Sequence, residues 1–277
     1  MTVANLPRIS VVTPSYQQAE YLANTIESVI SQGYPNLEYI IIDGGSTDGS
    51  IEIIRKYSRH LAYFVSERDE GQAHAIINGF ARASGNVCAW LNSDDTYEPG
   101  ALLRVGEFFL QQPDVGFLYG DYNLIDESGR VLEHKKQPSF DLSIAKYAYM
   151  TIPQPAAFWR ANAYRAVGGV KMEFKFSMDY DLFLRMAQIT KVQHVAVRLA
   201  NFRVHGRSKT ATAQSTYREE VHMIRMSCCE VKPSSALFKF VKAYYIVKLL
   251  GRCFIEGCLA EKLINQIRRR VRLAIRS

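Results

Sequence analysis

Val87-Cys88-Ala89-Trp90-Leu91-Asn92-Ser93-Asp94-Asp95 is the stretch that decides the fold class. An apolar run passes without a break into four polar residues. Such a run, bounded by turn residues, marks a strand covered on both faces. Acidic side chains directly after it lie at the edge of a sheet. The adjacent carboxylates of Asp94 and Asp95 offer hard oxygen ligands to Mg2+ or Mn2+, and such a cation keeps positions open for a diphosphate.

Upstream, the same strand-then-helix pattern occurs three times. Ile9-Ser10-Val11-Val12 precedes a helical stripe of Leu22, Ile26, Val29 and Ile30 that Gly33 and Pro35 end. Tyr39-Ile40-Ile41-Ile42 precedes a Gly44-Gly45-Ser46 turn and a helix through Ile51, Ile54 and Tyr57. Ala62-Tyr63-Phe64-Val65 precedes a helix carrying Ile76, Ile77 and Phe80. Downstream come a helix of Leu102, Leu103, Val105, Phe108 and Phe109, and a strand from Val115 to Tyr119. Repeated units with short links predict an α/β fold: a mostly parallel sheet with right-handed crossovers, flanked by helices.

The pattern changes after residue 120. Tyr122–Ile125 and Arg130–His134 flank Glu127-Ser128-Gly129 as a hairpin. A strand at Ala156–Trp159, a short helix ending at Gly168-Gly169, a helix from about Asp179 and a strand from Val192 to Leu199 follow. The chain reads as helical from about Thr212. The expected division is 1–120 and 121–210 as two halves of one domain, with 211–277 a helical tail.

In an open parallel sheet, ligands bind beyond the carboxyl ends of the strands. The first four strands lead into Thr13-Pro14-Ser15-Tyr16, Asp43, Ser66-Glu67-Arg68-Asp69 and Asn92-Ser93-Asp94-Asp95. Any one of these has a bland explanation as a turn or solvated loop; four at one edge do not. Gly44-Gly45-Ser46-Thr47-Asp48-Gly49 lacks the lysine of a P-loop and the spacing of a dinucleotide fingerprint, so it reads as a turn with helix-capping residues. A second acidic pair, Asp179 and Asp181, falls at a predicted helix N-terminus, where the dipole favours negative charge. Asp181 reads as a cap. Asp179 is either a cap or a general base that takes a proton from an acceptor hydroxyl.

The chain has 277 residues and a net charge of +7, unevenly placed. Residues 201–277 hold sixteen basic against five acidic residues, and the first two hundred hold eighteen against twenty-two. The five cysteines, an odd count without CxxC, argue against a disulfide framework and for a reducing cytoplasm. No secretory signal is visible, and the most apolar window, Leu237–Leu250, is interrupted by Lys239, Lys242 and Lys248.

These stretches together resemble glycosyltransferase family two, bacterial inverting enzymes with the GT-A fold, over roughly residues 8 to 210. The resemblance rests on Ile9–Tyr16, Ile42–Asp48 and Trp90–Asp95. It is supported by Ser66–Gln72 with Asn78-Gly79, by Gln154–Arg160 and by Asp179-Tyr180-Asp181-Leu182. It implies that Pro14 and Tyr16 line the base pocket, that Asp43 hydrogen-bonds the base, and that Glu67, Asp69 and Gln72 belong to the donor side. It further implies that Asp94 faces the ribose or donor sugar, that Asp95 binds Mn2+ or Mg2+, that His205 lies near the diphosphate as a second metal residue, and that Asp179 is the catalytic base. The family's usual Glu-Asp pair stands here as Met178-Asp179, so the first carboxylate is missing. The implied reaction moves a sugar from a UDP-, GDP- or dTDP-sugar to a hydroxyl of a glycan or lipid-linked acceptor, with inversion.

Two other classes compete. A sugar nucleotidyltransferase would want a glycine-rich loop with Arg and Lys after the first strand, where Thr13-Pro14-Ser15-Tyr16 stands. A binding protein that had lost chemistry would not need Asp43, Asp95 and Asp179 together. In the tail, Ala260, Leu263, Ile264, Ile267, Val271 and Ala274 share one face of a helix over 259–276, with Lys262, Arg268, Arg269, Arg272 and Arg276 around the other. It either packs on the domain or lies on an anionic membrane, which would place the protein peripherally on the inner face of the cell membrane. The tail has no nucleic-acid recognition motif, and no nucleic-acid partner is expected.

Overall fold

The computed structural model describes residues 5–206 and 214–258. The apolar runs form β1 (Ile9–Ser15), β2 (Leu37–Asp43), β3 (Tyr63–Ser66) and β4 (Val87–Trp90). Between and after them lie α1 (Ala19–Ile30), α2 (Ser50–Lys56), α3 (Gln72–Arg82) and α4 (Ala101–Gln111). Successive strand side chains point to opposite faces, so each run serves two cores. Val12, Ile40, Ile42 and Trp90 face one, beneath α3. Val11, Ile41, Ala89 and Leu91 face the other, beneath α1, α2 and α4. The approach of α3 to β1 is close enough that a Cβ on Gly79 would overlap Val12.

The rest of the sheet comprises β5 (Thr96–Tyr97), β6 (Val115–Ile125), β7 (Val131–Lys135), β8 (Ala157–Arg160) and β9 (Lys191–Arg203). The order is β3-β2-β1-β4-β8-β6-β9-β5, with β7 paired to β6. The predicted parallel arrangement holds across β3, β2, β1 and β4. Beyond β4 the sheet is mixed: β8 is antiparallel to both β4 and β6, β9 is parallel to β6, and β5 is antiparallel to β9. The hairpin expected around Glu127–Gly129 is the β6–β7 pair. The division drawn at residue 120 falls in the middle of β6, beside the register shift at Gly120/Asp121. One continuous sheet thus joins both halves.

On the α3 side, α5 (Leu142–Tyr147), α6 (Ala161–Ala166) and α7 (Met178–Ala187) complete the cover. Phe183 of α7 stacks on Trp90 at 6.0 Å and meets Phe117 edge-on at 5.0 Å. Among the described residues, α8 (Gln214–Cys228) and α9 (Ala236–Ile255) follow β9. They agree with the helical pattern expected from Thr212. The predicted basic helix over 259–276 lies outside the described residues.

Candidate active site

In-register pairing brings the polar ends of the first strands into one line. Ser15 of β1 is opposite Asp43 of β2, which is opposite Ser66 of β3; Trp90, the last residue of β4, is opposite Val12. Asp43 is fully buried, and its carboxylate accepts hydrogen bonds from the Gly45 and Ser46 backbone N–H groups and from the Ser46 and Ser66 hydroxyls at 2.6–3.1 Å. Four donors fill about all the lone-pair sites a carboxylate has. Asp43 therefore builds the turn beyond β2. The Asp69 carboxylate packs against Gly44, where a Cβ would lie 3.0 Å from it, and accepts from Gly71 N–H at 2.8 Å. Gln17 N–H donates to Ser46 Oγ at 2.9 Å, which draws the exit of β1 to the same turn. Pro14 is buried beside Ile42, and the Tyr16 ring stands open to solvent. Glu67 is exposed at the rim, its backbone N–H donating to Asp43 O at 3.0 Å.

The loop after β4 is held from three directions. Thr25 of α1 donates its hydroxyl hydrogen between the carbonyls of Ser93 (2.9 Å) and Asp95 (2.8 Å). Gln72 Nε2 donates to Asn92 Oδ1 at 2.7 Å, and Asn92 Nδ2 to Gln154 Oε1 at 2.9 Å. Gln154 Nε2 closes the chain on Trp90 O at 2.8 Å. The third hold is β9: its antiparallel pairing with β5 brings Arg203 N–H to Asp95 Oδ1 (2.9 Å) and Arg203 Nε to Asp94 O (2.8 Å). The same pairing delivers His205, whose Nε2 lies 3.0 Å from Asp94 Oδ2.

Asp94, Asp95 and His205 thus meet although 111 residues separate the first from the last. Burial, and then the charge of Asp94, push the Asp95 carboxyl well above its usual range. His205 is buried against the Tyr21 ring at 4.8 Å, and its Nδ1 has no hydrogen-bond partner among the described residues. These features fit a divalent cation. Positive charge would relieve the repulsion between the carboxylates. An imidazole held through one nitrogen by a carboxylate, with the other bare, has the form of an oriented ligand. No cluster of three or more His, Cys, Asp or Glu among the described residues forms an ion cage. Mg2+ and its relatives are commonly held by one or two carboxylates with substrate phosphates completing the shell.

Asp179 opens α7 one turn before Phe183, and residues four apart share a helix face. Stacking of Phe183 on Trp90 therefore puts Asp179 on the side of α7 that faces the sheet. Its Oδ1 accepts from Tyr180 N–H at 2.8 Å. Burial raises its carboxyl to about 6, against the lowering effect of the Tyr180 N–H, and the charge of Glu220 adds to the rise. Asp181 does not cap the helix as expected. Its Oδ2 accepts from Arg185 Nε at 2.9 Å, and Arg185 also donates to the carbonyls of Val167 and Gly169. Asp181 thereby ties α7 to the preceding loop.

Glu220 was not expected at the site. It lies on α8, forty-one residues after Asp179, and is buried. Its carboxylate accepts from the backbone N–H groups of Lys175 (2.8 Å), Phe176 (3.0 Å) and Ser177 (2.8 Å) and from the Ser177 hydroxyl (2.8 Å). Burial disfavours its charge, but these hydrogen bonds outweigh burial and hold its carboxyl below the usual range. The segment that delivers Asp179 is thus clamped by α8. Nothing in the local pattern of Tyr217-Arg218-Glu219-Glu220-Val221 marks one glutamate as buried.

A profile described as Glycosyl transferase family 2 matches residues 10–165, more than half of the chain. The chain belongs to this family. Among its relatives is the chondroitin synthase of Escherichia coli, 25% identical over 224 residues that make up 80% of this chain and 32% of that protein. Among solved structures, Staphylococcus aureus TarS 1–349 in complex with UDP-GlcNAc has a TM-score of 0.65 at 16% identity, covering 88% of this chain and 73% of that one. The mannosyltransferase PcManGT of Pyrobaculum calidifontis, in complex with GDP-Man and Mn2+, has a TM-score of 0.61 at 17% identity, covering 98% and 82%. The GT-A fold implied by the sequence is therefore the fold of this glycosyltransferase.

Proposed function

We propose that this glycosyltransferase moves a sugar from a nucleoside-diphosphate sugar to a hydroxyl of a growing or lipid-linked polysaccharide, with inversion at the anomeric carbon. The observation that supports the reading most is the pairing of Asp94 with His205 beside the buried Asp95 after β4, and α7, which opens on Met178 and Asp179, packs on Trp90 of the same strand through Phe183. Pro14, Tyr16 and the Asp43 turn, with Glu67, Asp69 and Gln72 around it, form the base and ribose side of the donor pocket. Asp43 acts there through the turn it builds. Asp94 faces the ribose or donor sugar. Asp95, with His205, would hold Mn2+ or Mg2+, which when bound neutralises the diphosphate charge as the leaving group departs.

Asp179 removes the acceptor proton. A carboxyl raised to about 6 is still ionised at neutral pH, and it is a stronger base than an ordinary aspartate. Partial burial, and then the charge of Asp179, raise the phenols of Tyr149 and Tyr217, residues that are 58% and 42% exposed. They stand on the acceptor side, where an aromatic face suits a sugar ring. The polysaccharide assignment draws on the chondroitin synthase relative. The metal draws on the donor set and on Mn2+ in the mannosyltransferase complex. A cytoplasmic site fits Cys88, Cys228 and Cys229, which carry unbridged thiols.

The test is release of nucleoside diphosphate from UDP-, GDP- and dTDP-sugars with and without Mn2+, with acceptor oligosaccharides added. Asp179→Asn and Asp95→Asn each reduce transfer by orders of magnitude while the fold is retained. Near-normal transfer by Asp179→Asn removes the general-base assignment.

A further inference from the structure

α9 is apolar almost all round, and a helix of that kind is ordinarily covered on every side. Its inner side is fixed to the body. Tyr245 stacks on Tyr147 of α5 at 5.2 Å, and Phe238 packs beside the same ring. Lys248 and Arg252 both reach Asp141, the cap of α5, at 2.7 and 3.3 Å. The outer side carries Phe240, Tyr244, Val247, Leu250 and Phe254, spaced by three and four residues along one stripe. Exposure reaches 73% at Phe240, 68% at Val247 and 74% at Phe254. From Phe240 to Phe254 the stripe is about 20 Å long at 1.5 Å per residue.

We infer that this outer face of α9 docks the enzyme on an anionic phospholipid bilayer. The charge pattern selects that occupant. Residues 236–277 contain ten basic residues, Lys239, Lys242, Lys248 and Arg252 among them, against two acidic ones, Glu256 and Glu261. On the helix wheel Lys239 flanks the outer stripe on one side and Lys248 and Arg252 on the other, and Lys242 falls on the inner face between Phe238 and Cys253. From its exposed flank Lys239 can carry its charge up to headgroup level while the aromatic rings enter the acyl boundary, and Lys248 and Arg252 stay paired with Asp141 at the other edge. A second copy fits less well: a two-fold contact places a patch against itself, and this patch would bring basic flank to basic flank with no acid on the helix. The helix lies on the bilayer and does not cross it, since among the described residues no helix is long and apolar enough to span a membrane. A lipid-linked acceptor would then be met at the surface where it resides. This use rests on the acceptor class proposed above; the docking itself does not.

The experiment is co-sedimentation of the full chain with vesicles of phosphatidylcholine alone and of phosphatidylcholine with 30% phosphatidylglycerol, an ordinary anionic fraction (about one charged lipid in three). It is repeated for a triple variant, Phe240→Glu, Val247→Glu and Phe254→Glu. Thermal stability, sedimentation velocity and donor turnover in the absence of vesicles are measured beside it. The proposal expects binding to the anionic vesicles, weakened at least about ten-fold in the triple variant, with Tm and vesicle-free turnover unchanged. Equal vesicle binding by wild type and variant overturns it. So does a wild-type dimer that the variant dissociates without any vesicle binding, which would make the occupant a second copy. A fall in Tm with unchanged vesicle binding also overturns it and assigns the face to the chain's own packing. Absent donor turnover in both proteins would count against the proposed reaction and leave the docking result standing.

Discussion

Removing the Glu220 carboxylate should loosen Asp179, the proposed base, without touching it. Glu220→Ala leaves the N–H groups of Lys175, Phe176 and Ser177 and the Ser177 hydroxyl without their acceptor. A buried donor deprived of its partner costs about 1–3 kcal/mol. Lys175 is exposed and can turn to water, and the hydroxyl can rotate, so the expected loss is about 3–5 kcal/mol. Glu220→Gln keeps the shape. Its carbonyl oxygen can take the place of Oε2, which serves Phe176 and Ser177, while its amide group meets Lys175 N–H donor to donor; the loss there is about 1–2 kcal/mol. Asp179 lies two residues beyond Ser177, and a displacement of about 1 Å at a catalytic group costs about a hundred-fold in rate. Chemical denaturation gives the stabilities, and kcat with KM for the donor gives the partition. The expected result is a large fall in kcat for Ala with donor KM little changed, because the donor cluster is held by Thr25, Asn92 and Arg203 instead. The pH profile is the sharper readout. The charge of Glu220 raises the Asp179 carboxyl, so Glu220→Gln should move the acidic limb of kcat/KM to lower pH. An Ala variant with unchanged stability and kcat, or a Gln variant whose limb stays in place, would refute the clamp.

Three further outcomes follow from the same geometry. With the Asp179 carboxyl at about 6, transfer should fall through an acidic limb near that pH, to roughly a tenth at pH 5 if Asp179 alone controls it; a profile flat down to pH 5 excludes Asp179 as the base. The folded state holds the Asp179 proton more tightly than the unfolded chain, so its contribution to stability is lost as pH rises from about 4 through 6. Asp179→Asn should therefore leave stability at pH 7.5 unchanged or up to about 3 kcal/mol higher by urea titration, and a clear destabilisation would count against that environment. Gly79→Ala should destabilise by about 1–3 kcal/mol, because its methyl would overlap Val12 where α3 rests on β1; a neutral effect in urea titration would show that the helix can lift.

The fold was legible where the physics is local. Runs such as Tyr39–Ile42 and Val87–Leu91 serve two cores at once, and only a strand covered on both faces asks for that pattern. The helical stripe Leu22, Ile26 and Val29 is buried as its spacing predicts. Less was legible beyond β4. The antiparallel insertion of β8 between β4 and β6, and the two-residue β5, are set by long-range pairing that leaves no periodic trace in so few residues. The site divides in the same way. Ser15, Asp43, Ser66 and the Asp94–Asp95 loop could be placed at one edge because each follows its own strand, and parallel register does the rest.

Residues that arrive from elsewhere in the chain were harder to read: Asp179 stood between cap and base until the family resemblance assigned it, His205 entered only through that resemblance, and Glu220 did not enter at all. The reason is physical. A buried carboxylate is tolerable only when its hydrogen-bond sites are filled, and the sites of Glu220 are filled by the backbone of residues 175–177, which carries no side-chain signature. From its own heptad Glu220 looks like its neighbour Glu219, which is exposed. The same constraint makes the residue informative once the structure is known. Three backbone N–H groups pointing at one carboxylate serve little purpose in a surface loop, where water would do. They make sense where the next residues must be held still, and the next carboxylate along the chain is Asp179.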